Sequence, residues 1–134
     1  MLFRSSVTSI VDRFLEHSRI LYFDHGGEPL VFISSADWMP RNLDRRVELL
    51  VPVEDAACRA RLITILQTCF LDNVKVRRLM PDGSYARIEA DEPSRGIRAQ
   101  EVFCREATDA AQKAQKDRYT TFEPQLPSST GSSR

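Results

Sequence analysis

Both histidines of the chain lie in one short stretch, RFLEHSRILYFDH, which spans residues 13–25. Within this stretch, His17 is followed by Arg19 two residues later and by Asp24 five residues after that. An imidazole can transfer a proton or attack phosphorus, and a guanidinium can hold phosphate oxygens. Because residues i and i+2 of a strand face the same side, a strand here would direct His17 and Arg19 into one pocket. The residue types therefore indicate phosphate chemistry, although these three positions alone favour an ordinary histidine that is satisfied at a strand edge.

The loop SSADWMPRNLDRRVE, residues 34–48, holds a second group of side chains suited to phosphate. Ser35 and Asn42 can donate hydrogen bonds to phosphate oxygens, and the guanidinium groups of three arginines can pair with them, namely Arg41, Arg45 and Arg46. The alternative is a salt-bridge network inside the loop, such as Asp44 with one of these arginines. The composition of the loop leaves both interpretations open.

Strands are predicted on both sides of these residues, and most of them form hairpins. The apolar runs 19–24 and 30–34 flank the turn HGGEP, in which two glycines admit positive φ. The runs 73–80 and 84–90 flank the turn PDGS. A further strand is predicted over 47–53. The first two runs do not alternate cleanly between apolar and polar residues, which is typical of a sheet covered on both faces.

Helical periodicity predicts the remaining elements. The clearest helix spans residues 54–70, where apolar residues make one stripe. A second helix is predicted over 97–116, and a short one over 5–18, where apolar residues recur at helical spacing. The segment 35–46 is predicted to be an irregular loop, because Pro40 limits any helix there.

Length and composition indicate one globular domain. The chain has 134 residues, of which 42% are hydrophobic and 28% charged, as in ordinary folded domains. Its 19 basic and 19 acidic residues balance, so net charge steers no partner. The elements predict an α/β (α+β) fold over residues 1–116, with a β-sheet flanked by helices, and a disordered polar tail over residues 117–134.

Several classes of protein are disfavoured by missing signals. The three cysteines, Cys58, Cys69 and Cys104, show no CxxC spacing, so neither a metal site nor a disulfide framework is predicted, and free thiols fit a reducing cytoplasm. No signal-peptide core or membrane-spanning apolar run is found. The sequence also lacks the P-loop, the GxGxxG turn, HExxH and GxSxG.

Long stretches of the chain resemble the C-terminal domain of family 1 polyphosphate kinases. The likeness is carried by SIVDRFLEHSRILYF, by GGEPLVFISSADWMPRNLDRRVELL and by DNVKVRRLMPDGSYARI, and RAQEVFCREA continues it. It covers roughly residues 4 to 107. The resemblance implies a partial phospholipase D-like domain, in which a mixed β-sheet is flanked by helices.

The resemblance also implies an activity, the reversible transfer of the terminal phosphate of ATP to inorganic polyphosphate, with Mg²⁺ and through a phosphohistidine. The family's phosphorylated histidine lies in a domain that has no counterpart in this chain. His17 matches a second essential histidine, in the LEHSR block, for which we expect a general acid or base role. The residues expected to bind phosphate in the same pocket are Arg19, Ser35, Arg41, Asn42, Arg45 and Arg46.

The implied partners are ATP or ADP and inorganic polyphosphate, without nucleic acid. The resemblance further implies a cytoplasmic location and a homo-oligomer for the full-length enzyme, and it leaves peripheral membrane association open. Because the chain is much shorter than the family's enzymes, we interpret it as a fragment, either a truncated reading frame or an excised domain. We expect such a fragment to make no polyphosphate alone.

Two other functions remain as alternatives. The spacing of His17, Arg19 and Asp24 resembles the HxKxxxxD signature of phospholipase D-like phosphodiesterases, with arginine in place of lysine. A non-catalytic module could instead bind polyphosphate or a partner subunit through two basic clusters. These clusters are the loop arginines and the group Lys75, Arg77 and Arg78, although a solvated charged face is favoured for the second.

Overall fold

The computed structural model describes residues 5–88 and 96–118. Six strands, three α-helices and one 3₁₀ turn follow one another along the described residues: β1 (Thr8–Ile10), β2 (Ile20–Phe23), the turn His25–Gly27, β3 (Leu30–Ser34), α1 (Pro40–Arg45), β4 (Leu50–Pro52), α2 (Ala56–Leu71), β5 (Val76–Leu79), β6 (Tyr85–Arg87) and α3 (Ala99–Arg118). The chain divides into two compact units, residues 1–102 and residues 103–134. The described part of the second unit consists of α3 from Phe103 onward.

The strands form two three-stranded antiparallel sheets. Sheet 1 has the order β2-β3-β4, and sheet 2 has the order β1-β5-β6. The predicted α+β class is confirmed, but the described strands make two antiparallel sheets where one mixed sheet was predicted. The reason is local, since a hairpin joined by a tight turn can pair only antiparallel.

Both predicted hairpins are confirmed. In the first, β2 pairs with β3, and the turn between them places His25, Gly26 and Gly27 at φ values of 43°, 71° and 100°. In the second, β5 pairs with β6 around Gly83, which has φ of 83°. The glycines enter the left-handed region without the steric cost that a side chain brings, and this permits the tight reversals.

The predicted helix over 5–18 is wrong, because residues 8–10 form β1. This strand pairs with β5, and the ladder continues past it: Leu79 N donates to Val7 O, and Val11 N donates to Lys75 O. β-Branched Thr8 and Ile10 fit a pleated strand. Pairing with a strand more than sixty residues away therefore overrides a weak helical period.

The segment 35–46 is also more regular than predicted, because it contains α1. Pro40 occupies the first helical turn, where the N–H that proline lacks has no helical partner in any case. The backbone N–H groups of Asn42 and Leu43 then donate to Met39 O. Proline thus starts this helix, whereas the prediction had it preventing one.

Helix α2 confirms the predicted helix over 54–70 and packs against β2 and β3 of sheet 1. Its N-cap residue Asp55 accepts a hydrogen bond from Cys58 N at 2.7 Å, which satisfies one of the free N–H groups at the helix start. An open apolar groove of about 480 Å³ lies between α2 and β2, lined by Ile20, Tyr22, Ile63, Leu66, Gln67 and Phe70.

Helix α3 confirms the helix predicted over 97–116. Asp117 and Arg118, the first two residues of the predicted tail, lie in its last turn. The rest of that tail, residues 119–134, lies outside the described residues. Of the helices in the described part of the chain, none is long and apolar enough to cross a membrane.

Candidate active site

The β2–β3 hairpin brings the residues before β2 next to the residues after β3. Ile20 lies opposite Ile33, and Ser34 N donates to Arg19 O at 2.9 Å. Strand β4 continues this arrangement on the other side, where Ser35 N donates to Leu49 O at 3.0 Å. Three segments distant in sequence therefore meet at one end of sheet 1.

At this end, His17, Arg19 and Asp37 form a hydrogen-bonded row. Arg19 Nη2 lies 2.7 Å from His17 Nε2, and Arg19 Nε donates to Asp37 Oδ1 at 2.6 Å. Because a guanidinium carries only donors, His17 Nε2 can form this hydrogen bond only as the acceptor, which requires the tautomer with the proton on Nδ1. The structure thus brings together His17 and Arg19, as the sequence predicted, and adds a carboxylate.

The Arg19–Asp37 pair fixes the charge beside His17. The hydrogen bond from Arg19 lowers the pKa of Asp37 below its usual value, and the same bond raises the pKa of Arg19. Both side chains are partly shielded, with 20% and 34% of their surface exposed. Both groups are therefore ionised at neutral pH, and a guanidinium with free N–H groups remains next to the imidazole.

A second cluster is built around Glu48, which accepts from both polar residues predicted in the loop. Ser35 donates a short hydrogen bond from Oγ to Glu48 Oε2, and Asn42 Nδ2 donates to Glu48 Oε1 at 2.9 Å. Leu49 N in turn donates to Ser35 Oγ at 2.9 Å. The bond from Ser35 is the largest cause of the lowered pKa of Glu48. In this structure Ser35 and Asn42 therefore hold the loop together, and the only proton of the Ser35 hydroxyl points to a carboxylate.

Asn42 is the most enclosed side chain of the loop, with 4% of its surface exposed. Its Oδ1 atom has no hydrogen-bond partner in the part of the chain that the structure describes. Most buried polar atoms in folded proteins have a hydrogen-bond partner, so this buried acceptor in the loop is an exception.

The three loop arginines lie on the surface. Arg41, Arg45 and Arg46 are all exposed, and none makes an ion pair with another residue of the described ranges 5–88 and 96–118. The predicted alternative, a bridge from Asp44 to one of them, is likewise not formed within those ranges. After the hydrogen bond from Arg19, the charge of Arg41 also lowers the pKa of Asp37. Arg41 thus keeps its charge available next to Asp37, and Arg46 acts on Glu48.

Sequence reasoning missed Asp37 and Glu48 and grouped Asp24 with His17 incorrectly. Asp24 follows β2 at its far end, which at about 3.3 Å per residue puts its backbone some 16 Å from Arg19. Asp37 takes its place as the partner of Arg19. The register of β2, β3 and β4 could have revealed both carboxylates. Arg19 pairs with Ser34 and Ser35 pairs with Leu49, and these pairings set residues 37 and 48 beside the His17 row.

The described residues do not fit a metal centre. No group of three or more His, Cys, Asp or Glu side chains with suitable spacing occurs in the part of the chain that the structure describes. The two carboxylates of the site, Asp37 and Glu48, already accept hydrogen bonds from Arg19, Ser35 and Asn42. We assign no ligand for Mg²⁺ among them.

Comparison with known proteins identifies the family. The family model of the polyphosphate kinase C-terminal domain 2 matches residues 4–100. A polyphosphate kinase of Rhodopirellula baltica is 51% identical over 121 residues, which cover 90% of this chain and 14% of that protein. One of Lactiplantibacillus plantarum is 46% identical over 118 residues, which cover 86% of this chain and 16% of that protein. The crystal structure of polyphosphate kinase from Porphyromonas gingivalis matches with a TM-score of 0.72 at 39% identity, over 81% of this chain and 16% of the other.

These matches include the whole His17 row and the Glu48 cluster, since both fall within residues 4–100. The chain spans about one sixth or less of the length of these relatives. The resemblance inferred from the sequence is confirmed: the chain belongs to the polyphosphate kinase family, and residues 4–100 match its C-terminal domain 2.

Proposed function

We propose that this chain supplies one wall of the site at which a polyphosphate kinase transfers the terminal phosphate of ATP to inorganic polyphosphate. The observation that carries the proposal is the row of His17, Arg19 and Asp37, whose Asp37 belongs to a loop with three arginines that form no ion pair among the described residues. Phosphoryl transfer requires little covalent chemistry from a protein and depends on positioning and on positive charge. Both are present at this end of sheet 1.

Arg19 is proposed to hold the phosphate that reacts. Its Nε atom is bound to Asp37 and one Nη2 hydrogen faces His17, so three of its five N–H donors remain for phosphate oxygens. A phosphate bound there lies within reach of the imidazole. Arg41, Arg45 and Arg46 extend the positive charge along the loop and suit a polyanion longer than one phosphate.

His17 is proposed to act as a general acid or base. When Arg19 turns to the phosphate, the Nε2 lone pair that it occupies in this structure becomes free to take a proton from a phosphate oxygen and return it later in the reaction. An imidazolium beside Arg19 would be opposed by like charge. The carboxylate of Asp37, bound to Arg19 at 2.6 Å, offsets that repulsion.

The remaining parts of the proposal rest on family membership. The phosphate passes through a phosphohistidine on a residue outside this chain, and bound Mg²⁺ would neutralise charge on the phosphates of ATP. Membership of the family also favours a cytoplasmic reaction and a homo-oligomeric full-length enzyme. A lone polypeptide with this sequence is expected to be inactive, since it contributes only one wall.

The proposal is tested by His17→Ala in a complete polyphosphate kinase that carries this segment. General acid–base catalysis contributes about 10²- to 10⁴-fold, so ATP-dependent polyphosphate formation should fall by that factor while the melting temperature stays unchanged. His25→Ala is the matched control, because His25 is exposed in the hairpin turn and its loss should leave activity intact. Full activity of the His17 variant would refute the role of His17.

A further inference from the structure

The segment that carries His17 has no regular structure of its own. Between β1 and β2, residues 11–19 form neither helix nor strand, although His17 must keep a defined place beside Arg19. Side chains of the segment itself give little support, since the local contacts are limited to neighbours such as Ser18 N with Glu16 Oε1 at 3.0 Å. The position of His17 therefore depends on contacts with other parts of the fold.

Two pairs of hydrogen bonds fasten this segment to the start of α3. Arg98 binds both oxygens of Asp12 through one edge of its guanidinium, Nε to Oδ2 at 2.9 Å and Nη2 to Oδ1 at 2.6 Å. Two residues further on in each segment, Phe14 N donates to Gln100 Oε1 at 2.9 Å and Gln100 Nε2 donates to Phe14 O at 2.6 Å. We name the residues Asp12, Phe14, Arg98 and Gln100 the α3 clamp.

The geometry of the α3 clamp specifies both the position and the direction of the backbone that leads to His17. The carboxylate of Asp12 is 2% exposed, and a two-point bond between a guanidinium and a carboxylate fixes their relative orientation. The Gln100 amide satisfies both the N–H and the C=O of Phe14, as a neighbouring strand would do. A segment without a strand partner thus receives strand-like support from one side chain.

The start of α3 is itself held in place. Ala99 N donates to Asp72 Oδ2 at 2.8 Å, and Asn73 exchanges two hydrogen bonds with Ile97, one through Asn73 Oδ1 at 2.7 Å and one through its backbone N–H at 3.0 Å. Asp72 is 2% exposed and Ala99 is 1% exposed. The α3 clamp therefore connects the His17 segment to a buried frame at the end of α2.

From these contacts we propose that Asp12, Arg98 and Gln100 are positioning residues for His17: they hold the backbone before His17, as the Ser34–Arg19 hydrogen bond holds it after, and so set His17 Nε2 against Arg19. His17 lies three residues after Phe14 and two before Arg19. Because the backbone is fixed at Phe14 and at Arg19, the imidazole of His17 can adopt few positions. The inference rests on the proposed function for its relevance to catalysis, although the placement of the ring can be tested without any reaction.

Nitrogen NMR of the imidazole tests this directly in the chain itself. His25→Gln leaves His17 as the only histidine, so its two ring nitrogens can be assigned without ambiguity. In that background the ring is expected in the tautomer with the proton on Nδ1. Adding Gln100→Ala should bring the two nitrogen shifts closer together and speed amide exchange of Phe14 at least tenfold. Arg105→Gln, an exposed change on the same helix, should alter neither.

A second variant protects the test from simple unfolding. Gln100→Glu keeps an acceptor for Phe14 N and loses the donor to Phe14 O, so it should shift the nitrogens less but in the same direction while circular dichroism stays native. If Phe14 exchanges faster and the nitrogen shifts do not move, the α3 clamp holds the backbone without placing the ring, and the inference is overturned.

Activity measurements in a complete polyphosphate kinase separate this inference from the proposed function. Gln100→Ala should lower kcat while KM for ATP stays unchanged, because the side-chain hydrogen bonds of Gln100 among the described residues go to Phe14 and not to the arginine loop. Changed nitrogen shifts together with full activity of His17→Ala would leave the positioning inference standing and refute the catalytic role. Unchanged nitrogen shifts together with an inactive His17→Ala would refute the positioning inference and leave the catalytic role of His17 standing.

Discussion

The loop 35–48 and the junction of α2, β5 and α3 are both rich in polar residues. At the junction these residues bind the backbone, whereas in the loop several polar groups are left without a partner within the described part of the chain. At the junction, Asp72 is buried and accepts from Val74 N at 3.0 Å, from Lys75 N at 2.7 Å and from Ala99 N at 2.8 Å. In the loop, Asn42 Oδ1 is buried without a partner and three arginines are exposed without an ion pair among the described residues.

This difference separates residues that hold the fold from residues suited to a ligand. A carboxylate whose acceptors are used by backbone N–H groups stabilises the chain and has little left to offer another molecule. Unpaired cations on a surface contribute little to stability, yet they give a polyanion its binding energy. Asp72 should therefore act through the free energy of unfolding, and the loop arginines should act through affinity.

The largest effect is expected at the junction, from Asp72→Ala. The change leaves three backbone N–H groups without an acceptor, and each unsatisfied buried group costs about 1–3 kcal/mol, so the free energy of unfolding should fall by about 3 kcal/mol or more. Urea denaturation measures it. Asp82→Ala is the control, since Asp82 is exposed in a turn and accepts only from Ser84. Equal losses in the two variants would show that the burial of Asp72 and its three backbone partners do not set its contribution to stability.

The α3 clamp should weaken as the pH falls. The hydrogen bonds from Arg98 lower the pKa of Asp12 from 3.8 to about 2. The ionised carboxylate therefore stabilises the folded chain fully above the unfolded value, and the contribution is lost as the pH falls from about 4 to about 2. The difference in melting temperature between the chain and Asp12→Asn should be largest at pH 6 and shrink toward pH 2. A difference in melting temperature that is independent of pH would show that the charge of Asp12 does not stabilise the folded chain.

A smaller effect is expected inside the loop, from Asn42→Ala. The variant loses one hydrogen bond to Glu48 and removes a carbonyl oxygen that had no partner. A hydrogen bond to a charged group is worth about 1.5–3 kcal/mol, and removal of the unpaired oxygen returns part of it. The free energy of unfolding should change by about 1 kcal/mol. A loss as large as that of Asp72→Ala would mean that the loop is as structural as the junction.

The sequence predicted the elements that short-range patterns determine. The two hairpins follow from their glycine turns, and α2 and α3 follow from periodicity. β1 was missed because its pairing with β5 joins residues far apart in sequence, and α1 was missed because proline was read as a breaker instead of a start. A local pattern cannot report a distant partner.

The candidate site divides in the same way. His17, Arg19 and the loop residues were recognised by type and by resemblance to the family. Asp37 and Glu48 were not, since their roles follow from the register of β2, β3 and β4. Spacing alone offered Asp24, and only for the phosphodiesterase alternative, whereas the register brings Asp37 to Arg19.

The most direct test of the account compares two arginine clusters of equal charge. Arg41, Arg45 and Arg46 are exposed in the loop that also holds Asp37, whereas Arg77, Arg78 and Arg87 are exposed on sheet 2. Each set is changed to glutamine, and binding of inorganic polyphosphate to the chain is measured by titration at low and moderate salt. The account predicts that the loop variant loses most of the affinity and the sheet 2 variant little. Equal losses, or a greater loss on sheet 2, would contradict it.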